Sequence, residues 1–128
     1  MNKQIKRLPD SELEIMMIIW GAREPVTSAY VSEQLKNKKE WKITSVLTFL
    51  ARLVEKGFLT STREGKVNIY SPVIGESEYL ESESKSILEK LYGNSLTTFV
   101  SALYKSKAIN EDDISELREF IDKSAKED

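Results

Sequence analysis

A chain of 128 residues with 40% apolar and 31% charged side chains has room for one ordinary domain or two very small ones, and this composition excludes a disordered polymer. It contains no cysteine and no histidine, which excludes a disulfide frame, a thiolate or imidazole metal site and the commonest general base near neutral pH. The net charge of −2 conceals a division: residues 1–72 carry 12 Lys/Arg against 8 Asp/Glu, and residues 73–128 carry 7 against 13, so a basic front precedes an acidic back.

No apolar run approaches the ~20 residues of a membrane span. Lys3, Lys6 and Arg7 are followed by no apolar stretch or small-residue cleavage site, so the N-terminus does not read as a signal peptide. The expected location is cytoplasmic, with no direct membrane insertion. The five glycines are scattered and form no nucleophile elbow, phosphate loop or dinucleotide fingerprint. Neither an enzyme nor a cofactor is expected.

The first predicted helix covers residues 10–21. Pro9 and Asp10 open it, Ser11 and Glu14 fit a capping box, and Leu13, Met16, Met17 and Trp20 recur at helical spacing with Ile15, Ile18 and Ile19 beside them. It should be largely buried. After a turn at Arg23-Glu24-Pro25, Val26 is extended and Thr27-Ser28 start a second helix to about residue 36, with Tyr30, Val31 and Leu35 inward. Asn37-Lys38-Lys39-Glu40 is a polar break. A third helix runs over residues 43–56, closed by Gly57 as a left-handed cap. The period then changes to two: residues 58–63 and 66–70 alternate around Glu64-Gly65, predicting a β-hairpin that Pro72 stops. Three helices followed by a hairpin form the winged helix-turn-helix arrangement.

Beyond Gly75 three short helices are predicted. Apolar positions are Tyr79, Leu80, Ile87, Leu88 and Leu91 on the first, Leu96, Phe99, Val100, Leu103 and Tyr104 on the second, and Ile114, Leu117 and Ile121 with Phe120 beside them on the third, which Asn110 caps. A segment this short is marginal alone, and pairing with a second copy is the simplest remedy. The fold class is therefore mainly α with a small β-hairpin wing: a winged-helix DNA-binding domain at 1–74 and a three-helix dimerisation module at 75–128.

On a helical wheel Ser45, Thr48 and Arg52 share one face, flanked by Thr44, Glu55 and Lys56, while Val46, Phe49, Leu50, Leu53 and Val54 occupy the other. Hydroxyls and a guanidinium can bond base edges in a major groove, so Ser45, Thr48 and Arg52 are the candidate base readers. The competing reading is an ordinary solvated face. Against it, Ser and Thr are poor choices for a helix surface, and cations surround this one. Thr27, Ser28, Lys38, Lys39, Lys42, Thr44, Lys56, Arg63 and Lys66 are the candidate phosphate contacts. Trp41 and Tyr70 read as packing anchors rather than DNA contacts. Glu111-Asp112-Asp113 lacks Ca²⁺-loop spacing and lies at a helix start, where acids are favoured anyway, so no metal site is expected.

Leu8-Pro9-Asp10-Ser11-Glu12-Leu13-Glu14 through Ile19-Trp20, the pattern W-x3-[ST]-[VI]-x-T-x3-R-L-x2-K-G over residues 41–57, and Glu64-Gly65-Lys66 with Tyr70-Ser71-Pro72 resemble the BlaI/MecI family of penicillinase repressors. The resemblance covers nearly the whole chain and is strongest through Pro72. It implies a homodimer on palindromic double-stranded operators that represses β-lactamase, antibiotic-resistance or related stress genes. It also implies release when a membrane sensor protease signals and the repressor is cut among its C-terminal helices. The family's base-reading positions fall on Ser45 and Thr48, with Arg52 adjacent, and its Asn-Phe cleavage bond aligns with Ala102-Leu103. Ile43 and Leu47 depart from the polar and proline residues frequent in relatives. The copper-sensing branch uses C-terminal cysteines, which this chain lacks. Two other classes remain open at this point: a winged-helix protein-interaction adaptor, and a small-molecule-responsive regulator with Tyr79, Phe99 and Tyr104 lining a pocket.

Overall fold

The computed structural model describes residues 5–36 and 38–126, so Asn37 of the predicted polar break lies outside the described residues. The chain divides into two compact units, Met1–Glu83 and Ser84–Asp128. The division falls inside a helix and beyond the boundary expected after residue 74.

The first unit begins with α1 (Asp10–Ala22), which starts without the expected capping box: Pro9 is the N-cap, no side chain caps the helix, and the Leu13 amide reaches the Pro9 carbonyl. Proline suits this place because it has no amide hydrogen to strand. The buried stripe is Ile15, Met16, Ile19 and Trp20, together with Glu12, whereas Met17 is 48% exposed, contrary to the expected stripe. β1 (Val26–Thr27) leads into α2 (Ser28–Leu35), where the Thr27 hydroxyl accepts from the Tyr30 amide at 3.1 Å. Val31 and Leu35 face the core as expected, but Tyr30 is 39% exposed.

α3 (Ile43–Glu55) buries Val46, Leu50 and Leu53. It ends in a Schellman motif: Phe58 N donates to Leu53 O at 2.9 Å and Gly57 N to Val54 O at 3.1 Å, with Gly57 at φ +85°. This cap turns the chain and plants Phe58 in the core, 1% exposed, before β2 (Leu59–Glu64) starts. β3 (Val67–Pro72) returns antiparallel in the register Leu59↔Pro72 to Glu64↔Val67, around a two-residue loop in which Gly65 supplies φ +63°. β1 also pairs with β3, Val26 opposite Tyr70, so the expected hairpin is part of a three-stranded sheet of order β1-β3-β2.

Tyr79, in the first turn of α4 (Glu76–Tyr92), completes this core. Its ring lies 5.8 Å from both Trp20 and Phe58, and its hydroxyl accepts from the Leu8 amide at 3.0 Å. Trp20 in turn donates its indole N–H to the Ile74 carbonyl at 2.9 Å. These bonds satisfy polar groups that burial would otherwise strand.

In the second unit, α5 (Leu96–Lys105) and α6 (Glu111–Lys126) follow the later turns of α4. The Ser95 hydroxyl accepts from the Thr98 amide at 3.2 Å, and Asn110 and Asp113 form a reciprocal capping box at 3.0 and 2.8 Å. Tyr92 stacks on Phe99 with centroids 4.9 Å apart. No side chain of α5 or α6 is fully buried.

Candidate nucleic-acid interface

The outward face of α3 follows from what its inward face must do. Once Val46, Leu50 and Leu53 are buried, helical periodicity turns Thr44, Thr48 and Arg52 to solvent, and all three are exposed. Ser45 is half-buried on the flank, so the centre of the exposed face lies nearer Thr48 than the wheel suggested. Ile43 and Leu47 are exposed on the opposite margin, adding apolar surface to that face.

Two contacts shape how this face presents itself. The Thr48 hydroxyl donates to the Thr44 carbonyl at 2.9 Å, one turn back, which leaves its oxygen lone pairs free to accept. The Arg52 guanidinium carbon lies 6.0 Å from the centroid of Phe49, itself edge-to-face with Trp41 at 5.3 Å. A guanidinium over a ring face is attracted by the ring quadrupole, so the aromatic pair restrains Arg52 without using its donors. Trp41 is thus the anchor expected of it.

Lys38, Lys39 and Lys42 are exposed ahead of α3, at the positive end of its dipole, and Arg63 and Lys66 are exposed on the hairpin. Thr27 and Ser28 are half-buried at the start of α2, and the Thr27 hydroxyl oxygen already serves as its cap. Lys56 is different from the phosphate contact expected of it. Its ammonium is ion-paired with Glu12, whose side chain is 3% exposed, while that of Lys56 is 33% exposed. The physical reason is burial: Glu12 on α1 needs a partner inside the fold, and Lys56 at the end of α3 supplies it. Sequence reasoning missed Glu12, since a lone glutamate on an amphipathic helix gives no signal of burial.

Among the candidate dimerisation residues, Leu80 of the first unit is exposed. In the second unit Leu91 (70%), Leu96 and Ile121 are exposed, while Ile87, Leu88, Phe99, Val100, Leu103, Ile114 and Leu117 are half-buried. A cleft of about 630 Å³ between α5 and α6 is lined by apolar side chains including Leu96, Val100, Ile114, Leu117 and Ile121. Of the aromatic residues weighed for a ligand pocket, Tyr79 is fixed in the first core and Phe99 stacks on Tyr92, and only Tyr104 lines this cleft. Ala102 and Leu103 lie within α5, half-buried, and their carbonyls accept from Ser106 N and Ala108 N at 3.0 Å each.

Comparison with known proteins places this architecture. The family model described as penicillinase repressor matches residues 8–123. A penicillinase repressor of Bacillus licheniformis is 32% identical over 120 residues, covering 94% of this chain and 93% of that protein. The methicillin resistance regulatory protein MecI of Staphylococcus aureus is 25% identical over 123 residues, covering 96% and 99%. Among solved structures, the DNA-binding domain of the repressor BlaI matches with TM-score 0.53 at 36% identity, over 61% of this chain and 94% of that one. The monomeric form of Bacillus licheniformis BlaI in complex with the blaP half-operator matches with TM-score 0.51 over the same shares.

Proposed function

This chain belongs to the penicillinase repressor family of transcriptional repressors, and from that premise we propose that it acts as a homodimer which lays two copies of α3 into successive major grooves of a palindromic operator. The observation that carries the reading is the exposed face of α3, formed by Thr44, Thr48 and the ring-supported Arg52, with the exposed cations Lys38, Lys39 and Lys42 preceding the helix in the chain. Thr48, Arg52 and the flank residue Ser45 read base edges. The cations, with Thr27, Ser28, Thr44, Arg63 and Lys66, hold phosphates. Binding of a half-operator by BlaI supports the same use of this surface here.

The apolar cleft and exposed leucines of the second unit supply the surface for pairing two chains, which brings two α3 helices onto one duplex. Release by proteolysis at Ala102-Leu103 requires α5 to open first, because a protease takes extended backbone and both carbonyls are held in helical bonds. A membrane sensor protease is the proposed trigger, and genes of β-lactam resistance or a related stress response are the proposed targets.

Selection from random duplex DNA with the full chain tests the reading. Enrichment of a two-fold symmetric sequence is expected, together with a dimer by sedimentation. A population of bound duplexes with no common sequence would refute it and favour the adaptor class.

A further inference from the structure

The first unit contains a cavity that the DNA-binding reading does not use. Its volume is about 460 Å³, within the range of small-molecule sites, and its walls come from residues 5–6, the end of α3 and the chain on either side of the hairpin. Part of the lining is apolar. Phe58 belongs to the core, and Ile5 and Ile74 are half-buried against that core, so some of this apolar surface is left open to the cavity. The rest of the lining is charged: Lys6, Arg52, Glu55 and Lys56, all exposed. A cavity with both kinds of wall fits a molecule that has an apolar body and an ionised head.

The charges select the sign of that head. Lys56 is neutralised by Glu12 and supplies a fixed wall. Among the described residues Lys6 and Arg52 have no acidic partner and Glu55 has no basic one, so the lining keeps a surplus of one positive charge. A surplus of one matches a single carboxylate better than a phosphate dianion. The contact of Arg52 with the Phe49 ring, 6.0 Å to its centroid, uses none of the guanidinium donors, which leaves them for a two-pronged pair with a carboxylate. The Gly57 and Phe58 amides donate to the Val54 and Leu53 carbonyls, which blunts the negative end of α3 beside the cavity. Arg52 therefore has two calls on the same donors: it lines this cavity, and it stands on the exposed face of α3.

We propose that this cavity binds an apolar monocarboxylate, its body on Ile5, Ile74 and Phe58 and its head between Lys6 and Arg52, and that the bound acid weakens operator binding by taking Arg52. The weakening rests on the reading of Arg52 as a base contact; the cavity itself does not. The test uses the full chain, labelled for amide NMR and free of DNA, titrated with naphthoate, with neutral naphthylmethanol and with inorganic phosphate. Naphthoate should shift amides around Ile5, Lys6, Phe58 and Ile74 and bind at least about tenfold more tightly than either of the others. Lys6→Gln, at an exposed position, should weaken naphthoate about fivefold while leaving the urea midpoint unchanged and operator affinity within about twofold. Saturating naphthoate should lower operator affinity of the parent about tenfold, and by reciprocity operator should weaken naphthoate by the same factor. Equal binding of the alcohol, equal binding of phosphate, shifts centred on the α5–α6 cleft, or full affinity in Lys6→Gln would each overturn the site. Operator affinity unmoved by saturating naphthoate would overturn the competition for Arg52. A chain that binds naphthoate here yet prefers no DNA sequence would keep the cavity and remove the repressor reading.

Discussion

Replacing Lys56 by methionine isolates the ion pair that ties the end of α3 to α1. The substitution keeps the side-chain length and removes the charge, leaving the Glu12 carboxylate 3% exposed without its cation. Breaking one side of a buried pair costs about 3–5 kcal/mol, and the lower end applies because a third of the Lys56 side chain remains in water. With a urea m-value near 1 kcal/mol/M for a unit of this size, the midpoint should fall by about 3 M. Trp20 and Trp41 both belong to Met1–Glu83, so their fluorescence follows this unit in the full chain. Lys85→Met, at an exposed position, should change stability by no more than about 0.5 kcal/mol, and the double variant Glu12→Leu/Lys56→Met should return to within about 1 kcal/mol of the parent. If Lys56→Met matches Lys85→Met, or the double variant is no better than the single, the pair is not what holds these helices. The salt dependence of operator binding gives a second reading: loss of a phosphate ligand lowers the slope by about 0.9, whereas loss of an internal ion pair leaves it unchanged.

Tyr79→Phe should destabilise the same unit by about 1–3 kcal/mol by removing the acceptor for the buried Leu8 amide, and an unchanged urea midpoint would count against that bond. Thr48→Val keeps the methyl group and loses the hydroxyl lone pairs. It should reduce the ratio of operator to random-DNA affinity by about 1–3 kcal/mol, and an unchanged ratio by fluorescence anisotropy would remove Thr48 from base reading. Leu96→Lys with Ile121→Lys, in the α5–α6 cleft, should shift sedimentation from dimer to monomer and steepen the concentration dependence of operator binding. A dimer that survives both charges would refute that interface.

The parts legible in the sequence are those governed by local rules. The period of α3, its closure by Gly57 and the change to alternation after it read directly as helix, cap and hairpin, and the exposed positions of Thr44, Thr48 and Arg52 follow from that period. What eluded sequence reasoning depends on distant partners. β1 is two residues long and exists through its pairing with Tyr70 and Ile69. Glu12 looks like a surface residue until Lys56 comes to meet it, and that meeting alters the expected role of Lys56. Ser11-x-x-Glu14 has the spacing of a capping box, yet Pro9 starts the helix earlier and leaves it unused. Tyr79 belongs by position to the acidic back half and by packing to the basic front.

That last placement bears on how such proteins can be recombined. A transplant of the front half ending at Pro72 would transfer every strand of the wing and discard the ring that fills the space between Trp20 and Phe58. The heritable module is longer than its recognisable motif: back halves are interchangeable only at a seam beyond Glu83, or when the incoming helix brings its own tyrosine one turn in.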